Sequence, residues 1–253
     1  MPRIRTVFFD LGSTLIYSKD PWPPIYEQAD RALLEALGRK SVFIDPAAFT
    51  AEFGGFIRSY YENRSDDNRE KTAKIALGEF LERKGFNDVA DHILRGGLDA
   101  MYAVTQRNWY LDEDTIPTLE TLHNRGYSLG LISNTSDDKN VQQLIDRENL
   151  RQFFETIVTS AALGIRKPDT RIYLAALNQV KIKPGEAVMV GDTLDADVLG
   201  ANDAGMYSIW ITRHVHHTQE GELTIQPQAV VTALQQIPGL LAEIENDPLF
   251  DPA

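Results

Sequence analysis

A chain of 253 residues, 43% hydrophobic and 25% charged, is long enough to bury a sizeable core as one large domain or two modest ones. Its formal net charge of −12 argues against nucleic acid or an anionic membrane surface as partner, because phosphate groups demand clustered Lys and Arg; the acidity suits a bound divalent cation or simply a solvated surface. With no cysteine there is no disulfide framework, thiolate nucleophile or zinc-thiolate site.

The first predicted element is an apolar run, Val7-Phe8-Phe9, that ends in one carboxylate, Asp10, followed by Gly12, Ser13 and Thr14. That is the pattern of a buried strand delivering a single charged group to its tip, although an Asp in this place also serves as an ordinary turn former. The residues before it run straight into the strand, with no room for a signal peptide, and no stretch approaches a membrane span, so a cytoplasmic location is expected. Tyr17 to Pro24 reads as a proline-rich connector that continues neither strand nor helix.

From there to about Gln106 only helical periodicity is visible. Ile25, Ala29, Leu33 and Leu37 share one face, and Phe49, Phe53, Phe56, Ile57 and Tyr60 another. Ala73, Ala76, Leu77, Phe80 and Leu81 repeat the spacing, as do Ile93, Leu94, Leu98, Met101 and Tyr102. The aromatic stripe of the second helix is expected to be core rather than a substrate wall, and Asp66 to Glu70 a solvated charged link.

Past Trp109 strands and helices alternate. A helix is predicted over Thr115–Arg125, a strand over Tyr127–Ile132 ending in Ser133 and Asn134, a helix over Asp138–Leu150 and a strand over Glu155–Val158. Lys167-Pro168 opens another helix, with proline in its first turn. Ala187–Val190 is a strand leading into Gly191-Asp192-Thr193, followed by a helix from about Asp195 to Ala204, a strand Tyr207–Ile211, and a tail with strand Ala229–Val231 and helical positions Leu234 to Ile244 that frays after Asn246. This alternation predicts an α/β fold, a Rossmann-like parallel sheet with helices on both faces, whose chemistry gathers at the carboxyl ends of the strands. The first strand belongs to that sheet by character, so residues 18–106 are read as an inserted all-helical domain and 1–17 with 107–253 as the sheet domain, which the resemblance named below makes cap and catalytic core.

Two carboxylates at neighbouring strand tips, Asp10 and Asp192, repel unless a cation sits between them, and such oxygen ligands suit magnesium. A hydroxyl, a lysine and a magnesium ion around one carboxylate suit a phosphoryl group that the carboxylate attacks.

With these residues in place the chain resembles the haloacid dehalogenase-like hydrolase superfamily, in the branch whose helical cap follows the first strand. The resemblance rests on Phe9-Asp10-Leu11-Gly12-Ser13-Thr14-Leu15, Ile132-Ser133-Asn134, Arg166-Lys167-Pro168, and Val190-Gly191-Asp192-Thr193 with Asp197, in that order. It implies Asp10 as nucleophile and Mg2+ ligand, Gly12 giving a backbone carbonyl to the metal, and Asp192 as a further ligand. It further implies Ser133 and Asn134 at the substrate, Lys167 neutralising phosphoryl oxygens and holding Asp10, and Asp197 orienting metal-bound water from behind. The cap would open for entry and close against water.

One place departs from the pattern. Phosphatases of this family carry a second aspartate two residues after the nucleophile, as acid and base, and here that place is Gly12. Three expectations follow: a magnesium-dependent phosphatase of a small phosphorylated or otherwise anionic metabolite, with the proton handled by the leaving group itself, Ser13, Asp195 or a cap residue; then a fold kept for binding or regulation; then a phosphonatase or dehalogenase. A phosphonatase would need a cap lysine, with Lys71, Lys74 and Lys84 as candidates that read more simply as surface residues. His214, His216 and His217 read as a solvated loop rather than a metal site, and Trp22 as half-buried between core and cap. Substrate identity and oligomeric state are not legible in the sequence.

Overall fold

In a computed structural model that describes residues 4–55, 68–215 and 224–246, Thr6–Phe9 forms β1, all four of whose side chains are buried. Burial on both faces is what a central strand of a parallel sheet requires, and it explains why the run is apolar without alternation. Ser128–Ser133 (β4), Thr156–Thr159 (β5), Ala187–Gly191 (β6), Tyr207–Ile211 (β7) and Ala229–Val231 (β8) complete a six-stranded parallel sheet of order β5-β4-β1-β6-β7-β8. The chain builds outward from β1 through β4 and β5 and then returns to build the other way from β6. That change of direction opens a crevice at the carboxyl ends of β4, β1 and β6, where sheets of this kind bind ligands.

The two faces have separate cores. Val7 and Phe9 pack with Leu129, Leu131, Val188 and Val190 beneath Thr115–Asn124 (α5), Asp138–Arg147 (α6) and Ile237–Asn246 (α10). Phe8, Ile132 and Met189 point the other way, against Ile172, Tyr173, Ala176 and Leu177 of Thr170–Val180 (α8). The strand period of two thus assigns neighbouring side chains to opposite layers.

The helices between β1 and β4 have a third core of their own. Trp22–Gly38 (α1), Pro46–Phe49 (α2), Ala73–Arg83 (α3) and Asp91–Thr105 (α4) bury Leu33, Leu37, Phe49, Leu77, Phe80 and Leu98 together. At Gly97 a side chain would stand 3.3 Å from Leu37 Cδ2, so the missing Cβ lets α4 lie close on α1. Phe49 and Phe53 are fully buried, as expected of core; Phe56, Ile57 and Tyr60 lie outside the described residues.

Several local expectations are corrected. The proline-rich connector is not irregular throughout: Ile16–Ser18 is a strand (β2), and α1 begins at Trp22 with prolines in its first turn, where a missing N–H costs nothing. β2 pairs antiparallel with Trp109–Leu111 (β3), a strand that local periodicity does not announce. Pro168 does not open α8; it precedes the Asp169 cap in a cis peptide with Lys167, and Ser160–Leu163 (α7) is an additional short helix. Asn68 to Glu70 is not a solvated link. Glu70 is buried, its N–H donates to the Gly164 carbonyl at 3.0 Å, and Arg166 N–H donates to the Asn68 carbonyl at 2.9 Å. His214 is not free in solvent either: Nε2 lies 2.7 Å from Asp112 Oδ2 and its ring stacks on Tyr17. His216, His217 and the residues after Asn246 lie outside the described residues. Trp22 is half-buried as expected, and Lys71, Lys74 and Lys84 sit in surface ion pairs with Glu79, Asp91 and Glu52.

Candidate active site

Asp10 follows β1 directly, its N–H donating to the Val190 carbonyl at 2.9 Å, so its position is set by the parallel ladder rather than by a loop. Ser133 ends β4 and Asp192 follows β6, so three adjacent strands bring their tips to one cavity of about 260 Å³. Its walls include Asp10, Gly12, Ser133, Lys167, Asp192 and Trp109.

Lys167 organises the charge. Its Nζ donates to Asp10 Oδ1 at 2.7 Å, to Asp197 Oδ1 at 2.6 Å and to the Ile132 carbonyl at 2.7 Å, so all three ammonium hydrogens are engaged with protein. Its side chain is 2% exposed. Burial opposes its charge, yet Asp10 and Asp197 outweigh burial and hold its pKa up at about 12. Lys167 therefore anchors Asp10 through a charge-assisted bond, and a further acceptor reaches its ammonium only in exchange for one of these three.

Asn134 works on the same lysine. Its Oδ1 accepts from Lys167 N–H at 2.8 Å and its Nδ2 donates to the Lys167 carbonyl at 3.0 Å, a two-point clamp on the main chain. Asp197 is also fully used: Oδ1 meets Lys167, and Oδ2 accepts from Thr193 N–H at 2.9 Å. A Cβ at Gly191 would fall 2.2 Å from Asp197 Cγ, so only glycine at the end of β6 leaves room for this carboxylate.

Carboxylate oxygens of Asp10, Asp192 and Asp197 lie within 4.8 Å of one another. With Lys167 as their buried ammonium partner, full ionisation leaves two negative charges uncompensated. Asp10 accordingly has its pKa pushed up to about 6, first by burial and then by the Asp197 charge, against the pull of Lys167. Asp192 is driven well above the usual carboxylate range by burial, Asp197 and Asp10. Excess negative charge on hard oxygen donors, all three at the cavity and two of them tied to lysine, fits a divalent cation such as magnesium held between Asp10 and Asp192.

Gly12 is where the site departs from the expected motif, and an indole stands beside it. A Cβ built there would lie 3.4 Å from Trp109 Cη2 and 3.8 Å from Cζ3, ordinary contact distances, and Gly12 is outside the left-handed region. Trp109 enters through the β2–β3 pairing, in which it is the partner of Ser18. Its role escapes sequence reasoning because residues 18 and 109 are far apart in the chain and the three-residue strands carry no periodic signal. Of the substitutes considered for the missing acid, Ser13 lines the cavity and Asp195 is not among the lining residues.

A model of the haloacid dehalogenase-like hydrolase family matches residues 4–205. A glyceraldehyde 3-phosphate phosphatase of Pyrococcus furiosus is 28% identical over 250 residues, covering 97% of this chain and 96% of that protein. A ribulose-1,5-bisphosphate 5-phosphatase of Halopiger xanaduensis is 30% identical over 211 residues, 80% of this chain and 82% of that one. The glyceraldehyde 3-phosphate phosphatase of Methanopyrus kandleri reaches 39% identity over 107 residues, 42% of this chain; the match spans about half of that relative, 46% of its length. Among solved structures, a 2-haloacid dehalogenase from Pseudomonas syringae superposes with a TM-score of 0.68 at 27% identity, covering 95% of this chain and 99% of that one.

Proposed function

The chain belongs to the haloacid dehalogenase-like hydrolase family, and from that premise we propose that it is a magnesium-dependent phosphatase of a small phosphorylated metabolite, acting through a phosphorylated Asp10. The observation that carries this is the cluster of Asp10, Asp192 and Asp197 around the buried Lys167, whose excess of negative charge suits a cation and whose Asp192 has no use in a dehalogenase that needs no metal. Relatives named as phosphatases of small sugar phosphates point the same way.

In this mechanism Asp10, aligned by Lys167, attacks phosphorus, and the leaving oxygen departs with the bonding electron pair. Ser133 donates to a phosphoryl oxygen, while Asn134 and Asp197 keep Lys167 in place. Asp10, Asp192 and the Gly12 carbonyl would hold magnesium, which supplies positive charge to the transferring phosphoryl oxygens. Water then cleaves the aspartyl phosphate and regenerates the Asp10 carboxylate. Residues 18–106 form the cap and 1–17 with 107–253 the core, a division supported by the separate hydrophobic core of α1 to α4. Among the described residues no helix is long and apolar enough to cross a membrane.

The test is phosphate release from p-nitrophenyl phosphate with magnesium and with chelator, for wild type and Asp10→Asn. Metal-dependent release that the substitution abolishes is expected. Equal silence of both proteins toward phosphate esters, alongside halide release from a 2-haloacid, would move the assignment to the dehalogenase.

A further inference from the structure

Position 12 lacks an acid, and the structure puts something specific in its place. The benzo edge of Trp109 stands at contact distance from where a side chain at position 12 would begin. That indole is held from behind: Trp22 lies 5.3 Å away, centroid to centroid, at 57°, and Trp22 in turn stacks on Tyr26 at 5.3 Å and 16°. The three rings come from the start of β3 and the first turns of α1, and all three are half-buried. Swinging Trp109 away from Gly12 would break its contact with Trp22, which therefore holds the indole beside the cavity.

The chemistry of the lining agrees. Among the described residues that line the cavity, the carboxylates are Asp10, Asp192 and Asp197, all gathered at the strand tips around Lys167. Besides Trp109 the lining includes the apolar Ile16, Val141 and Leu144, the neutral Ser13 and Asn140, and the cation Arg166. Among these residues there is no side-chain acid to protonate a departing alkoxide, whereas an indole stands in the wall beside Gly12.

We propose that Trp109 is a specificity-determining residue that exchanges general-acid catalysis for stacking, so that the site takes phosphate monoesters whose leaving oxygen sits on a planar conjugated carbon, aryl or enol, rather than on a saturated one. This rests on the phosphatase reading above. Asp10 Oδ forms a bond to phosphorus as the phosphorus–oxygen bond to the leaving group breaks. The electron pair stays on that oxygen and delocalises into the attached ring or double bond, so no proton is required. Water then attacks the aspartyl phosphate, returning Asp10 as carboxylate, with inorganic phosphate and a proton released to solvent.

Two probe pairs of matched size separate the parts of this idea. Phenylphosphonate and cyclohexylphosphonate cannot turn over and report the wall alone, by titration calorimetry in the presence of magnesium. Wild type is expected to bind the planar ligand about tenfold more tightly, the scale of a good aromatic pair. Trp109→Ala should reduce the preference to within about twofold, and Trp109→Phe should retain most of it. Equal affinities in wild type, or a Trp109→Ala loss that is the same for both ligands, would overturn the wall. Phenyl phosphate and cyclohexyl phosphate then test turnover: kcat/KM should favour the aryl ester by about a thousandfold, within the range a missing general acid costs. Comparable rates on both esters would overturn the exchange. A planar preference in binding with no phosphate released from either ester would leave the wall standing and remove the phosphatase assignment instead. Unchanged melting temperatures check that each variant is folded.

Discussion

Gly12→Asp restores the acid that the sequence withholds, and the structure says what it meets. The backbone at position 12 accepts an ordinary L residue, so the substitution carries no left-handed strain, and its Cβ begins 3.4 Å from Trp109 Cη2. A carboxylate extends beyond Cβ by more than a bond length, so it must turn along the indole edge or displace it, and the stack with Trp22 resists displacement. A well-placed general acid is worth about 10² to 10⁴ in rate. With Trp109 in the way the lower end is expected: a gain of about a hundredfold in kcat/KM on cyclohexyl phosphate, equivalent to about 2.7 kcal/mol of transition-state stabilisation. Aryl phosphates should gain little, because their leaving oxygen needs no proton. Pairing Gly12→Asp with Trp109→Ala should open the missing space and raise the gain on the saturated ester further, at the expense of aryl binding. Steady-state kinetics of wild type, both single variants and the double variant complete the cycle. Less than a twofold gain on the saturated ester in both proteins that carry the Gly12→Asp substitution, with folding intact, would refute the idea that an absent acid is what limits this site.

Other outcomes follow from the charge cluster. Lys167→Met leaves Asp10 and Asp197 buried without their shared cation and should cost about 3–5 kcal/mol in urea unfolding at pH 7.5. The deficit should shrink at pH 5, where Asp10 takes up a proton, and a cost under about 1 kcal/mol would mean the lysine is not the anchor described. The Asp10 pKa is raised from 3.8 to about 6 in the fold, so its contribution to stability is fully present below about pH 4 and is lost as pH rises through 6. In chelator, the melting temperature of wild type relative to Asp10→Asn should therefore fall between pH 4 and pH 7. Added magnesium should recover it above pH 6 and do little at pH 4, and a flat difference across this window would contradict the burial of this carboxylate. Gly191→Ala drives a methyl group to 2.2 Å from Asp197 Cγ and should cost about 3 kcal/mol and most of the activity, whereas the activity should survive if Asp197 is dispensable to Lys167.

How far the sequence alone reaches is plain from particular elements. β1 with Asp10, the strand ending in Ser133 and the strand leading to Asp192 are legible because each is a short apolar run closed by a polar tip, a pattern written in consecutive residues. Their alternation with amphipathic helices predicts a parallel sheet, and the order of strands supplies the crevice that collects the three tips. The helical insertion is visible for the same reason, since a period of 3.6 needs only one turn of neighbours to show itself.

What only the tertiary structure decided depends on partners distant in the chain. Lys167 reads as a residue that neutralises phosphoryl oxygens and holds Asp10; only the fold shows that Asp197 and the Ile132 carbonyl take its other two hydrogens. Asn134 reads as a residue at the substrate, and only the fold shows that both ends of its amide close on the Lys167 main chain. Glu70 reads as solvated, yet its main chain is fastened to Gly164, far along the sequence. Gly12 reads as an omission, and the pairing of Ser18 with Trp109 sets an indole edge at contact distance beside it. Local patterns determined which groups reach the site; their competition for the same few hydrogen bonds and the same few ångströms, which no local pattern encodes, determined what each of them does there.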